Sequence, residues 1–168
     1  MTTMCDPIGR TDAQRLGELE LFAGAGRDLL ATLAERSVVL DVGKGRELVS
    51  EGSEAREFVV ILDGHAAVSI SGVPISYVGA GSCFGEMSLI DGRRRTATVT
   101  AASPMQVIVF SREDFLALLA QQPSFCIRIL TMVVGRLRLA NSQLAERAEA
   151  GPASPSAASG PARSVTDE

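Results

Sequence analysis

One stretch narrows what this chain can fold into more than any other: Val78–Val99, VGAGSCFGEMSLIDGRRRTATV. It opens on a Gly-rich turn (Gly79, Gly81), then gives Phe84-Gly85-Glu86, a short apolar run Met87–Ile90 and a turn at Asp91-Gly92. Three arginines, Arg93 to Arg95, run straight into the β-branched stretch Thr96-Ala97-Thr98-Val99. A glycine at the first turn of a short helix lets a ligand approach bare backbone N–H groups, and a helix N-terminus favours an anion there. An arginine beside that turn adds a charge-assisted, often bidentate partner for a phosphate. A glutamate in the same place has no use for phosphate, but it accepts from a hydroxyl such as a ribose 2′-OH, as acidic residues do in dinucleotide sites. Anion donors, one carboxylate and one arginine nine residues later describe a sugar-phosphate pocket.

The run F-G-E-M-S-L-I-D-G-R-R-R-T-A-T-V resembles the phosphate-binding cassette of cyclic nucleotide-binding domains, the module of the catabolite activator protein and of the regulatory subunits of cyclic-AMP-dependent protein kinase. The family pattern reads F-G-E-L-A-L, a short spacer, then P-R-T/S/A-A-T/S-V, and it fits here without a gap across sixteen positions. The resemblance implies an eight-stranded β-roll or jelly-roll barrel with flanking helices. It places Glu86 on the ribose 2′-OH and Arg95 on the cyclic phosphate, with Phe84, Gly85, Met87, Ser88 and Thr96 completing the ligand-binding set. It also implies a C-terminal helix folded over the purine, with Arg136, Leu137 and Arg138 as alternatives for the residue that covers the base. Two positions depart from the pattern: Arg94 stands where proline is usual, and Ser88 where a small apolar residue is commoner. Neither removes a binding atom. The implied ligand is cyclic AMP or cyclic GMP, with no cofactor and no metal.

The 168 residues carry a formal net charge of −4 and a pI near 5.1, which argues against a nucleic-acid surface as the main business of the chain. Aromatics make up 4% with no Trp, too few for base-stacking platforms. Three widely spaced cysteines (Cys5, Cys83, Cys126) without a CxxC read as reduced thiols of a cytoplasmic protein. The first residues have no apolar core of the signal-peptide kind. The uncharged run 64–85 is long enough for a membrane span, but glycines, serines and Pro74 break it, and strands are expected instead.

The expected organisation is a flexible N-terminus over 1–10, a nucleotide-binding domain over 11–148 and a Gly/Pro/Ala/Ser-rich disordered tail over 149–168. Within the domain, helices occupy 11–36, the β-roll 37–110 and C-terminal helices 111–148. Thr11-Asp12-Ala13-Gln14 is a capping box. From Ser37 the pattern changes to short runs with turns between them, which argues a closed sandwich or barrel. Asp63-Gly64 reads as a hairpin turn. The long helix after Pro123 carries Cys126, Leu130, Val133, Leu137, Ala140 and Leu144 as an a/d seam. Phe125, Ile127, Ile129 and Val134 widen its apolar surface toward the barrel. A homodimer or a protein partner through helix 124–148 is the expected use of that seam. No periodic sequence remains after it for a helix-turn-helix, so DNA binding by this chain alone is not expected.

Other readings compete with these. Taken alone, Arg93-Arg94-Arg95 is a solvated turn, and Glu86 caps a helix. His65 reads as a surface residue and Cys83 as buried and inert. A metal-dependent jelly-roll enzyme needs several histidines, and the chain has one, so no catalytic residues are assigned. The expectation is a stand-alone sensor of a cyclic nucleotide that signals through its C-terminal helix. The alternative is a degenerate relative that binds nothing and serves as a docking or dimerisation module.

Overall fold

The computed structural model describes residues 11–149; the expected flexible segment 1–10 and the tail from 150 onward lie outside them. By contact density the chain divides into two units, residues up to Thr131 and residues from Met132 on. Thr11 accepts from the Gln14 backbone and the Gln14 side chain reaches back to Thr11, so the capping box opens helix α1, Asp12–Glu18. A 3₁₀ turn, Glu20–Phe22, leads to α2, Arg27–Arg36. Eight strands follow: β1 Val38–Val42, β2 Glu47–Val49, β3 Glu57–Asp63, β4 His65–Ile70, β5 Val73–Gly79, β6 Cys83–Phe84, β7 Thr98–Ala101 and β8 Met105–Ser111. The short helix α3, Glu86–Asp91, sits between β6 and β7. Helix α4, Arg112–Gln121, is capped by Ser111, whose hydroxyl accepts from the Asp114 backbone, and α5 runs Pro123–Glu149.

The strands form two four-stranded antiparallel sheets, β1-β8-β3-β6 and β2-β7-β4-β5. They face each other as a jelly-roll sandwich and are not closed into a barrel. Asp63-Gly64 is accordingly not a hairpin: β3 pairs with β8 and β6, while β4 pairs with β5 and β7. Gly64 is instead the point where the chain crosses between sheets. Its φ is +82°, and a β-carbon there would come within 2.8 Å of Met105 Cα. The hairpin of this region is Ser71-Gly72, both with positive φ, joining β4 to β5. The uncharged run 64–85 is thus strand, turn and strand. Among the described residues no single helix is long and apolar enough to cross a membrane.

Strands β3 and β8 are buried on both faces, which is why they read as continuous apolar runs rather than alternating ones. One face, with Val59, Ile61 and Val107, meets Phe84, Val99 and Ala101 between the sheets. The other carries Phe58 and Phe110 into an aromatic cluster with Phe22, Phe115 and Phe125. Phe58 and Phe115 have ring centroids 4.5 Å apart, and Phe22 stacks on Phe125 at 5.5 Å. That cluster gathers the 3₁₀ turn, α4 and the start of α5 onto the first sheet. Polar ties reinforce it: Arg36 on α2 pairs with Asp114 on α4 at 2.7 Å, and Arg128 donates to the Ala23 carbonyl at 3.2 Å.

Helix α5 corrects the expected seam. Phe125 and Ile129 are buried as expected, but Ile127 and Val134 are exposed, and Cys126 and Val133 are half-buried. The exposed apolar stripe is therefore Ile127, Leu130, Val134, Leu137 and Leu144, with Ile127 and Val134 one position off the sequence reading. The helix turns its other side inward because Phe125 is drawn into the aromatic cluster.

Replacing Phe58, which is fully buried, by alanine leaves a cavity at the centre of that cluster. The substitution is expected to lower unfolding free energy by about 3–5 kcal/mol. Urea unfolding followed by circular dichroism measures it; a loss below about 1 kcal/mol would mean the cluster is not one packed core.

Candidate functional site

The glycine of F-G-E has a specific structural reason. Gly85 caps α3 with φ +93°, a left-handed conformation that L side chains rarely adopt. A β-carbon there would lie 2.8 Å from the Glu57 carbonyl oxygen and closer still to the Arg95 guanidinium. Glycine is thus required twice, by the backbone turn and by the arginine that packs against it. Gly92, also left-handed, ends the helix after two turns and releases the chain into the arginine run.

Arg95 folds inward. Nη1 donates to the Gly85 carbonyl at 3.0 Å and Nη2 to the Glu57 carbonyl at 2.6 Å. Its backbone is clasped as well: Arg95 N–H donates to Ser53 O (2.9 Å), and the Gly52 N–H donates to Arg95 O (2.8 Å). The residue is 5% exposed, and Glu86, the first residue of α3, is 1% exposed. Burial pushes the Arg95 guanidinium below its ordinary pKa, while the Glu57 and Glu86 carboxylates push it back up. A guanidinium has five N–H donors, and two of Arg95's go to carbonyls. The remaining donors, in a site shielded from water, suit an anion with several acceptor oxygens.

The rest of the expected set divides by burial. Phe84 lies in the core between the sheets, and Ser88 is buried with its hydroxyl donating to the Arg94 carbonyl at 3.1 Å. Met87 points outward, and Thr96 is exposed. Thr96 and Ala97 form a bend, not the start of a strand; β7 begins at Thr98. Arg95 is clasped by the 52–53 turn, the Glu51 N–H donates to the Thr98 hydroxyl, and the ladder with β2 is formed by Val99 with Val49 and Thr100 with Glu47. Arg136, Leu137 and Arg138 belong to the unit from Met132 on. There Leu137 and Arg138 are exposed, and Arg136 is half-buried with Nη2 3.5 Å from Met132 Sδ.

Sequence reasoning missed Glu57. Its contribution to Arg95 is a backbone carbonyl, which any residue type would supply, so no motif could mark it. It also missed the two-residue strand β6, Cys83-Phe84, which carries no periodicity. Among the described residues no group of three or more His, Cys, Asp or Glu is placed to hold a metal ion. Cys83 is buried and Cys126 half-buried, and neither is in a disulfide.

A sequence model described as "Cyclic nucleotide-binding domain" matches residues 39–122, which contain β2–β8, all of α3 and the Glu86–Arg95 pair. The chain belongs to that family. Among its relatives, the Pycsar effector protein PaPycTIR of Pseudomonas aeruginosa is 31% identical over 140 residues, spanning 82% of this chain and 45% of that protein. The cyclic AMP receptor protein of Thermus thermophilus is 32% identical over 104 residues, covering 62% of this chain and 45% of the relative. This chain therefore spans about half the length of the curated relatives it matches. A solved structure described as "cAMP bound PfPKA-R (141-441)" superposes with a TM-score of 0.68 over 79% of this chain and 46% of that one, at 24% identity. At that identity the superposition establishes the fold alone. In this cyclic nucleotide-binding domain, then, the expected eight strands, flanking helices and long C-terminal helix are all present.

Gly85→Ala is expected to push the Arg95 guanidinium off the Glu57 and Gly85 carbonyls. The strain should cost on the order of 1–3 kcal/mol of stability. Thermal unfolding of the variant reads it directly. A melting temperature equal to that of the parent would mean the glycine is dispensable.

Proposed function

We propose that this domain is a sensor of a cyclic purine nucleotide, cyclic AMP first and cyclic GMP second. One observation carries the reading: a buried arginine, fixed by two carbonyls with further donors left, beside a buried glutamate one residue after the Gly85 turn. Arg95 takes the cyclic phosphate together with backbone N–H groups from Gly85 to Ser88, and Glu86 accepts from the ribose 2′-OH. Phe84, Met87 and Thr96 border the ligand. The names of the relatives agree with this, one being a cyclic AMP receptor and one structure holding cyclic AMP. The domain acts by binding, with no catalytic residue of its own.

Signalling follows from differential affinity. A ligand shifts a conformational equilibrium only by as much as it binds one state better than the other. One of Arg136, Leu137 and Arg138 on α5 is the proposed contact to the base, so ligand binding biases where the C-terminal helix rests. The receiver is a second copy of this chain. Along α5, Ile127, Leu130, Val134, Leu137, Asn141 and Leu144 recur at spacings of 3, 4, 3, 4 and 3, and all are exposed. That is a heptad seam with one asparagine, the feature that favours two strands in register at some cost in stability.

Titration calorimetry of the protein with cyclic AMP and cyclic GMP, beside Glu86→Ala and Arg95→Ala, tests the site. Loss of a hydrogen bond to a charged group costs about 1.5–3 kcal/mol, so each variant is expected to bind roughly ten- to a hundredfold more weakly. No heat with either nucleotide, from protein shown to be folded, would leave a docking module that binds no nucleotide. The dimer is tested separately by light scattering: Leu137→Asp is expected to halve the mass, and an unchanged mass removes the second copy as receiver.

A further inference from the structure

Beside α3 lies a surface cleft of about 480 Å³, lined mostly by charged residues. Four arginines line it from three separate segments: Arg56 before β3, Arg93 and Arg94 in the cassette spacer, and Arg112 at the first turn of α4. The lining has one acid, Glu54, in a chain whose formal charge is −4. Concentrating cations in one concavity of an acidic chain builds a local positive potential that a scattered surface would not have.

The backbone holds these arginines in place. The Arg112 N–H donates to the Arg56 carbonyl at 2.9 Å, joining two of the segments. Arg94 Nη1 donates to the Gly52 carbonyl at 2.9 Å, and the buried Ser88 hydroxyl donates to the Arg94 carbonyl. Ser88 and Arg94 are the two positions where the cassette departs from the family pattern, and both line this cleft. Local acids neutralise only part of the charge. Glu54 pairs with Arg56 at 2.8 Å, and Asp91 lies 3.9 Å from Arg93. Neither Arg94 nor Arg112 makes an ion pair among the described residues.

The shape of the site chooses among anions. The side chains of Arg56 and Arg93 are 80% and 84% exposed, so the charges of the cleft lie open to solvent. Small-molecule sites enclose most of their ligand, whereas exposed rim charges of this kind steer and orient protein partners. The planar fork of each guanidinium matches a carboxylate. A long nucleic acid would meet the negative charge of the remaining surface. We propose that this cleft docks an acidic segment of a partner protein, with Arg56, Arg93, Arg94 and Arg112 receiving its carboxylates. The docking needs no nucleotide and stands independently of the sensor reading.

Fluorescence anisotropy with a labelled glutamate octamer, against a glutamine octamer of the same length, tests this on the full chain. Saturable binding of the glutamate peptide alone is expected, weakening as salt rises from about 50 to about 200 mM. Arg93→Glu/Arg112→Glu should weaken it by at least about tenfold. The neutral pair Arg93→Gln/Arg112→Gln should do so in the same direction with smaller amplitude, which covers the case of a charge-reversed protein that fails to fold. Absence of saturable binding, or binding unchanged in the folded variants, would overturn the proposal. So would pyrophosphate binding tighter than the octamer, because the cleft would then be a small-anion site.

Discussion

The Arg95 guanidinium, held between the carbonyls of Gly85 and Glu57, is the interaction on which the rest of this structure turns. A buried cation is costly unless its donors are met, and here the fold meets them with backbone rather than with a carboxylate in direct contact. That choice has consequences along the chain. It requires β3 to begin at Glu57, α3 to start from a left-handed glycine, and the 52–53 turn to clasp the Arg95 backbone. The carbonyls carry no net charge, and the Glu57 and Glu86 carboxylates favour the charged guanidinium electrostatically.

Around this anchor the sandwich is organised by unequal burial. The first sheet is covered on both sides, by the second sheet on one and by the aromatic cluster on the other. The second sheet has an exposed edge strand, β5, whose Val73, Ile75 and Tyr77 face water. Five of the six phenylalanines sit in the cluster beneath the helices, and Phe84 alone lies between the sheets. The helices are therefore fastened by large rings of high packing energy, while the interior around the cassette is built from smaller, β-branched side chains.

Charge is distributed with similar economy. The chain is acidic overall, yet the cassette spacer contributes three consecutive arginines with three different surroundings. Arg95 turns inward to carbonyls, Arg94 reaches across to the Gly52 carbonyl, and Arg93 stays at the surface near Asp91. Arg94 and Arg95 are thus both placed by main-chain oxygens of the 52–57 region, one outside the body and one within it.

Much of this was legible from residue order. The capping box at Thr11, the change to short runs at Ser37, the helix after Pro123 and the F-G-E cassette with Arg95 are local patterns. Each is set by hydrogen bonds or periodicities spanning a few residues, so the sequence by itself determined them. What only the tertiary structure decided involves partners far apart in the chain. Asp63-Gly64 looked like a hairpin, but sheet pairing made it a crossing, because β3 found β8 rather than β4. The seam on α5 shifted because the buried side of an amphipathic helix is chosen by what it packs on, and Phe125 packs against three rings, those of Phe22, Phe58 and Phe115. Glu57 left no trace in the sequence, since a carbonyl looks the same under every side chain. Arg56 and Arg112 stand far apart in the chain, before β3 and at the start of α4, and became neighbours only when one backbone hydrogen bond, Arg112 N–H to Arg56 O, closed the distance.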